Sequence, residues 1–394
     1  MSATTVADGS AIADVRIRDG WRETLWAFLG ARLLLAAVGV LGGGTLALSP
    51  GQPPTDAGFP NPLLAPGWHM LFTSLQRQDA QWFLRLATSG YAPGDNSAAF
   101  FPAFPTAIRL TTWLPGVGPL AAGLLVANLA AFAALLLLHA LTRYELGSEA
   151  ARRAVLFTAL FPTAFFLYAP YTESLFLLAS IAAFWFARRD RWAWAAAAGA
   201  AAAATRSVGI LLILALWVEA LAQYRRDGRP LLPRSLAAAA IAIGPLLYFA
   251  WWQWRFNDFW APLDAQHAWR PGGAASPLAT IKEATLLAWR YQTWWLLDLT
   301  VVTLAALGIV VAARRIPLTY TVYAAASILL PLLLPFGDRP LLSLPRFVAV
   351  VFPASWGWAL AVARRRPPES AVIAAFTAGF AVLSYLFINW QPVF

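Results

Sequence analysis

Apolar runs of roughly 17–22 residues recur along this chain, divided by short arginine clusters, and their length is that of a bilayer-crossing helix. In hydrocarbon every backbone N–H and C=O must be satisfied internally, which leaves only helices and closed barrels. Barrel strands alternate in and out over short segments; these runs are apolar throughout. Composition also excludes an ordinary soluble enzyme. Of the 394 residues, 60% are hydrophobic and 12% charged, about half the charged fraction of a soluble domain. The prediction is an all-α polytopic membrane protein.

Helices are predicted over residues 25–47, 118–140, 154–170, 172–187, 192–205, 207–223, 235–254, 291–312, 317–335, 346–363 and 370–389. That makes about 11 transmembrane helices in a single domain, residues 25–394, after a cytoplasmic N-terminal segment, residues 1–24. The 192–205 and 207–223 pair is short, and the near-continuous alanine from Ala195 to Ala204 suits close helix packing rather than chemistry. The first twenty residues are polar and lack a small-residue cleavage site after a short apolar core, so no removable signal peptide is expected. All but one of the 29 basic residues are arginine, and their placement sets an orientation. With the N-terminus in the cytoplasm, Arg16, Arg18 and Arg22 lie inside, together with the clusters at 143–153, 188–191, 225–234, 314–315 and 364–366. These inside loops are tight, where the positive-inside rule has its force; they hold eighteen arginines, against nine arginines and Lys282 outside. The C-terminus is then extracytoplasmic, and the membrane is taken to be the plasma membrane. The net charge of +10 is thereby explained without nucleic acid. Absence of cysteine excludes disulfides, thiolate metal sites and thiol catalysis. The three histidines, His69, His139 and His267, give little material for a metal cage.

Two long segments, 48–117 and 255–290, fall on the outer side and are rich in Trp, Phe and Pro, as suits chain lying at the headgroup level. Loops held by a scaffold carry function, so the chemistry is expected outside the cytoplasm. On a wheel of 100° per residue, Asp79 centres an apolar stripe of Phe72, Leu75, Trp82, Phe83 and Leu86, with Arg77 and Thr88 turned away. A carboxylate there either serves a reaction or caps a helix beginning at Ala80, and the wheel leaves both open. Glu173, in Tyr171-Thr172-Glu173-Ser174, stands where the helix dipole favours an anion; it too reads either way. Arg206, in Thr205-Arg206-Ser207, and Arg346, in Ser343-Leu344-Pro345-Arg346, each begin a span at its outer end. Free N–H groups attract anions there, so each arginine makes either a phosphate site or an anchor for ordinary lipid headgroups. Arg32 is expected to snorkel to the surface, Asp298 to line a cavity or pair with an arginine, and Asp95 to sit in a turn. No Asp-x-Asp pair, Gly-x-Gly-x-x-Gly or phosphate loop marks a nucleotide site.

Several stretches, in order, resemble one family. Gln78-Asp79-Ala80-Gln81-Trp82-Phe83, then Gly90-Tyr91 and Ala99-Phe100-Phe101-Pro102-Ala103-Phe104-Pro105, are similar to the first outer loop of the PIG-V family. Phe161-Pro162-Thr163-Ala164-Phe165-Phe166 and Tyr171-Thr172-Glu173-Ser174-Leu175-Phe176 resemble its third and fourth spans. Thr205-Arg206-Ser207-Val208-Gly209 and Pro345-Arg346-Phe347 with Phe352-Pro353 follow. That family adds the second mannose to glycosylphosphatidylinositol precursors. The resemblance implies a GT-C glycosyltransferase with a long first extracytoplasmic loop, an outer-face site and a polyprenyl-phosphate mannose donor. It places the acidic base at Asp79. Where the family usually has Trp before this aspartate, and often Tyr after the distal Pro-Arg pair, this chain has Gln78 and Phe347.

The reaction so implied has an acceptor hydroxyl attacking the anomeric carbon, with inversion, while the phosphate leaves. Asp79 would take the hydroxyl proton, and Arg206 and Arg346 would hold the leaving phosphate, since preorganised positive groups act where charge develops. Glu173, Trp82 and Tyr171 would orient the sugar or support the arginines, with no metal and no cofactor. The partners expected are the donor, a glycolipid or other membrane-proximal acceptor, and membrane lipids. The alternative class is a polyprenyl-phosphate transporter or flippase, where buried Asp and Arg serve ion coupling. Such transporters commonly have two similar halves, and this sequence has no evident repeat.

Overall fold

Every regular element among the described residues is helical. A computed structural model describes residues 17–47, 67–270, 273–365 and 367–393. Most of the 1–24 segment and the first part of the 48–117 loop, with Arg16 and Arg366, lie outside them. Six helices among the described residues are long and apolar enough to cross a membrane: Ile17–Gly42, Pro119–Leu146, Ser207–Asp227, Leu231–Phe256, Thr293–Ala313 and Glu369–Ile388. Leu318–Leu333 is a shorter apolar helix. The chain is a multi-pass membrane protein. Local chemistry sets the ends of the Pro119–Leu146 helix. Proline opens it where its missing N–H has no partner to lose. Gly147, at φ 90°, closes it in the left-handed region.

Two predicted spans are interrupted. Over 154–170 the helix Ser148–Ala159 ends, a single 3₁₀ turn follows at Ala164–Leu167, and helix resumes at Glu173–Arg188. Pro162 and Pro170 remove donors and clash with the preceding turn, so the 154–170 run is α-helical only as far as Ala159, and the span expected over 172–187 forms separately as Glu173–Arg188. The irregular backbone between them is buried and needs partners. Asn128 Nδ2 donates to the Tyr168 carbonyl at 3.1 Å, and Thr163 Oγ1 donates to the Pro345 carbonyl at 2.7 Å. The 346–363 span likewise breaks into Leu344–Val348 and Pro353–Ala363.

The helices Glu173–Arg188 and Trp192–Thr205 have 16 and 14 residues. At 1.5 Å per residue they reach about 24 and 21 Å, less than the hydrocarbon thickness of about 30 Å. They pack side by side, joined by a tight turn in which Asp190 takes φ 58°. Being antiparallel and nearly equal, they bring Glu173, the start of one, beside Arg206, just past the end of the other.

The opposite end of the bundle is tied by ion pairs. Arg188 Nε lies 2.7 Å from Glu145 and its Nη1 3.0 Å from Glu219, while Tyr320 donates to the same Glu145 at 2.7 Å. Arg143 pairs with Asp19, Arg152 and Arg153 with Glu369, and Arg234 with Asp190. The loops grouped on one side by the arginine pattern are therefore in mutual contact. Between the two ends, Phe184, Tyr320, Tyr323, Phe352 and Trp356 interlock with ring centroids 4.8–6.0 Å apart.

Thr293–Ala313 crosses Pro353–Ala363 closely. A Cβ at Gly357 would lie 1.7 Å from the Gly308 carbonyl oxygen, so the backbones touch where glycine permits it. Gly357→Val is expected to destabilise the protein by about 1–3 kcal/mol through overpacking, read as a lower melting temperature in detergent. An unchanged melting temperature would remove this crossing from the account of the fold.

Candidate active site

Glu173 is the first residue of its helix and is fully buried. Arg206 leaves the neighbouring helix in extended backbone, φ −152° and ψ 143°, and its Nη1 lies 2.5 Å from Glu173 Oε1. The turn after Arg206 is tight enough that a Cβ on Gly209 would come within 2.5 Å of the Ala203 backbone. The Thr-Arg-Ser-Val-Gly order is thus a steric requirement at its last position. The ring of Phe347 lies under the guanidinium, its centroid 4.3 Å from Arg206 Cζ.

Arg346 arrives from a distant part of the chain on the short helix Leu344–Val348, entered through Ser343 at φ 67°. Its Nη1 donates to Asp79 Oδ2 at 2.5 Å. Its Nε lies 3.1 Å from Glu173 Oε1, in ion-pair contact but out of line for a hydrogen bond. One guanidinium therefore bridges both carboxylates, and Glu173 serves both arginines.

Asp79 opens the helix Asp79–Ser89 after Gln78, whose φ of 48° breaks the chain direction. That break corrects the wheel drawn through residues 72–86, because Phe72 and Leu75 precede the helix and do not share its phase. Phe72 is exposed, and Arg77, expected to turn away, is fully buried. The cap reading of Asp79 also falls. The N–H groups of Ala80 and Gln81 bond to the carbonyls of Arg77 and Gln78, while the Asp79 carboxylate turns to Arg346 and remains 34% exposed. Arg77 anchors the approach, donating to the Ile388 and Thr73 carbonyls at 2.8 Å each, with its guanidinium over Trp390. Tyr171 is buried and donates to the Arg77 carbonyl at 2.9 Å, so it supports the Asp79 loop from beneath. Trp82 stacks on Phe100, centroids 5.1 Å apart, and meets Trp269 edge-on.

Asp79, Arg206 and Arg346 line one cavity of about 360 Å³, with Phe100, Phe101 and Phe347 among its walls. A further member, not singled out in the sequence, is Arg270, which follows the helix Ala261–Trp269 in the 255–290 segment and lines the same cavity. Among the described residues it has no carboxylate partner. It packs over Phe336 and Phe347 and donates only to the Leu334 carbonyl, at 3.4 Å. Burial, and repulsion from Arg346 and Arg206, draw its pKa down to about 10; it remains a cation at neutral pH. Three guanidiniums thus face two carboxylates, leaving an excess positive charge in an aromatic-walled recess. Such a place favours an anion, beside a carboxylate open enough to accept a proton.

Asp298 does not line this cavity. It makes a bidentate pair with Arg339 at 2.6 and 2.7 Å, and Arg339 also binds the carbonyls of Pro392 and Val393. The pair ties the loop before Arg346 to the C-terminal segment. Asp95 accepts from Ser97 N and pairs with Arg85 at 2.6 Å, holding its turn.

Residues 46–248 match the mannosyltransferase (PIG-V) family, a stretch holding Asp79, Glu173 and Arg206 but neither Arg270 nor Arg346. No curated protein matches the chain in sequence. Among solved structures, ArnT from Cupriavidus metallidurans bound to undecaprenyl phosphate is similar, with TM-score 0.54 and 13% identity, over 95% of this chain and 77% of that one. The apo oligosaccharyltransferase of Archaeoglobus fulgidus gives TM-score 0.50 and 14% identity, over 97% of this chain and 57% of the other. At these identities the likeness is one of fold, that of the GT-C glycosyltransferases. The family match spans more than half of the sequence, and the chain belongs to the PIG-V mannosyltransferase family of membrane glycosyltransferases.

Proposed function

We propose that the protein transfers mannose from a polyprenyl-phosphate donor to an acceptor hydroxyl at the extracytoplasmic face, with inversion. The observation that carries this reading is the meeting of Asp79, Glu173, Arg206, Arg270 and Arg346 around one recess, brought from remote parts of the chain. The phosphate of the donor sits against Arg206, Arg270 and Arg346, and its lipid tail leaves toward the bilayer. The acceptor oxygen attacks the anomeric carbon from the face opposite the phosphate, and its proton passes to Asp79. As the new C–O bond forms, the bond to the phosphate oxygen breaks and its electron pair leaves with the polyprenyl phosphate. Charge grows on that phosphate, so guanidiniums already in place lower the barrier most. Glu173 touches neither reactant; it fixes Arg206 and Arg346 in position. Trp82 and the aromatic walls around Phe100 exclude water. The acceptor is a glycolipid or another membrane-proximal hydroxyl.

The direct test supplies purified protein in lipid with labelled polyprenyl-phosphate mannose and a membrane lipid extract, and follows the label. Asp79→Asn keeps shape but takes no proton, and turnover is expected to fall roughly 10²–10⁴-fold with folding and donor binding largely retained. Near-normal turnover would sink Asp79 as the base.

Arg270→Ala isolates the phosphate contact, because it strands no carboxylate. Donor affinity should drop about 10–100-fold, the worth of a charge-assisted hydrogen bond, with the melting temperature little changed. Arg270→Lys should recover part of the loss, since it restores charge without the planar fork. Unaltered donor affinity in Arg270→Ala would take this arginine out of the phosphate site.

The orientation is tested by single cysteines in a chain that has none. Ser276 and Ser148 are both exposed, whereas Ser97, in the first outer loop, is buried and unsuited to labelling. In intact cells a cysteine at 276 should react with an impermeant thiol reagent and one at 148 should not; the reverse pattern would put the site on the cytoplasmic face.

A further inference from the structure

A second cavity, of about 790 Å³, lies beside the first. The two share a wall, for Phe101 and Thr205 line the first while their chain neighbours Pro102 and Ala204 line the second. Its floor is the packing of Trp192–Thr205 on the Leu231–Phe256 helix, where Gly244 lets the backbones approach; a Cβ there would meet the Ala200 carbonyl oxygen at 2.2 Å. Ile243 and Leu247 line it and are also exposed, so it opens on the flank that faces hydrocarbon. Trp113 and Trp254, close in sequence to the lining residues Arg109 and Arg255, are strongly exposed, as befits the headgroup level.

Two arginines line this otherwise largely apolar space, Arg109 and Arg255. Both are exposed, and neither has a carboxylate partner among the described residues. Each stands in the last turn of its helix, where the dipole tolerates a cation. The dipole explains why arginine is stable at each place; it does not explain two unpaired guanidiniums on one apolar cavity open to the bilayer. Apolar walls and two exposed cations lining one cavity are complementary to one kind of membrane component. We infer that this cavity binds an anionic phospholipid of the surrounding bilayer, its phosphate on Arg109 and Arg255 and an acyl chain along Ile243 and Leu247. The site is separate from the donor phosphate site around Arg206 and Arg270.

The shared wall gives this lipid a route to the first cavity. Tyr248 and Tyr91 both line the second cavity. Tyr248 donates to the Ala98 and Phe100 carbonyls at 3.0 and 3.2 Å, and Tyr91 to the Phe100 carbonyl at 2.8 Å. Ala99, Phe100 and Phe101 face the first cavity. A lipid packed on the two tyrosines therefore steadies the strap that forms the wall of the candidate active site.

The test is a binding measurement that does not depend on turnover, so its failure is distinct from failure of the transferase reading. The full-length protein in detergent is titrated with phosphatidylglycerol or phosphatidylcholine and examined by native mass spectrometry. The wild type should retain one phosphatidylglycerol in preference to phosphatidylcholine. The Arg109→Gln/Arg255→Gln double variant should bind it about thirty-fold more weakly, as the loss of two lipid-facing cations implies. Leu247→Trp, which fills the apolar part without touching the charges, should also displace the lipid. Should the double variant keep wild-type selectivity, the two arginines are only interfacial charges and the inference fails. It fails equally if inorganic phosphate displaces the lipid while Leu247→Trp has no effect, since the site would then hold a free anion and no acyl chain.

Discussion

Glu173 is the pivot of the structure. A fully buried carboxylate is costly unless it is paired, and here it is paired twice, with Arg206 at 2.5 Å and Arg346 at 3.1 Å. Those arginines reach it from stretches of chain far apart in sequence, one at the end of the alanine-rich helix and the other on a five-residue helix after a left-handed serine. Burial makes the arrangement demanding. Removing one partner of such a group leaves an uncompensated charge worth about 3–5 kcal/mol. The positions of the alanine-rich helix, the Leu344–Val348 helix and the Asp79 loop are therefore tied to one another through a few oxygen and nitrogen atoms.

The depth of this pivot comes from helix length. Glu173–Arg188 and Trp192–Thr205 are too short to cross the hydrocarbon alone, and Glu145, Arg188 and Glu219 fix one end of the pair in an ion-paired cluster. The other end must then stop short of the opposite surface, and the gap is filled by the 67–117 and 255–290 segments rather than by spanning helix. Phe83, Phe100, Trp82 and Trp269 do that filling. The same shortness that makes these helices poor membrane spans makes the recess.

Much of this was legible in sequence because charge in apolar surroundings is conspicuous. Glu173, Arg206 and Arg346 each interrupt a largely apolar stretch, whereas Asp79, set among Arg77, Gln78 and Gln81, stood out through its family-like motif; the structure brings all four together. Arg270 escaped because it stands in a loop with histidine, tryptophan and proline around it, where one more arginine carries no signal; only the fold shows that it faces the other two. The interrupted helices escaped for a different reason. Hydropathy counts Pro162 and Pro170 as tolerable members of an apolar run, yet each removes a backbone donor, and the run between Ala159 and Glu173 folds around Asn128 and Thr163 instead. The wheel through Asp79 misplaced Arg77 because a single left-handed residue, Gln78, resets the helical phase. The two departures from the family pattern are also informative. Gln78 reaches the Gln391 carbonyl at 3.3 Å, joining the site loop to the C-terminal segment. Phe347 keeps an aromatic face under Arg206, a contact that needs the ring and not a hydroxyl.

The charge count of the recess bears on why a transferase would be built this way. Were the carboxylates and guanidiniums equal in number, an arriving phosphate would have to break an ion pair to be held. Arg270 breaks that symmetry. It is already desolvated and repelled by Arg346 and Arg206, and both effects draw its pKa down to about 10. An anion entering the recess relieves the repulsion while leaving the Glu173 pairs intact. Arg346 is the one guanidinium that touches both carboxylates, so any group drawing on its remaining N–H also acts on its contact with Asp79. In the proposed reaction, donor phosphate binding and the freedom of Asp79 to accept a proton are thus coupled through one side chain.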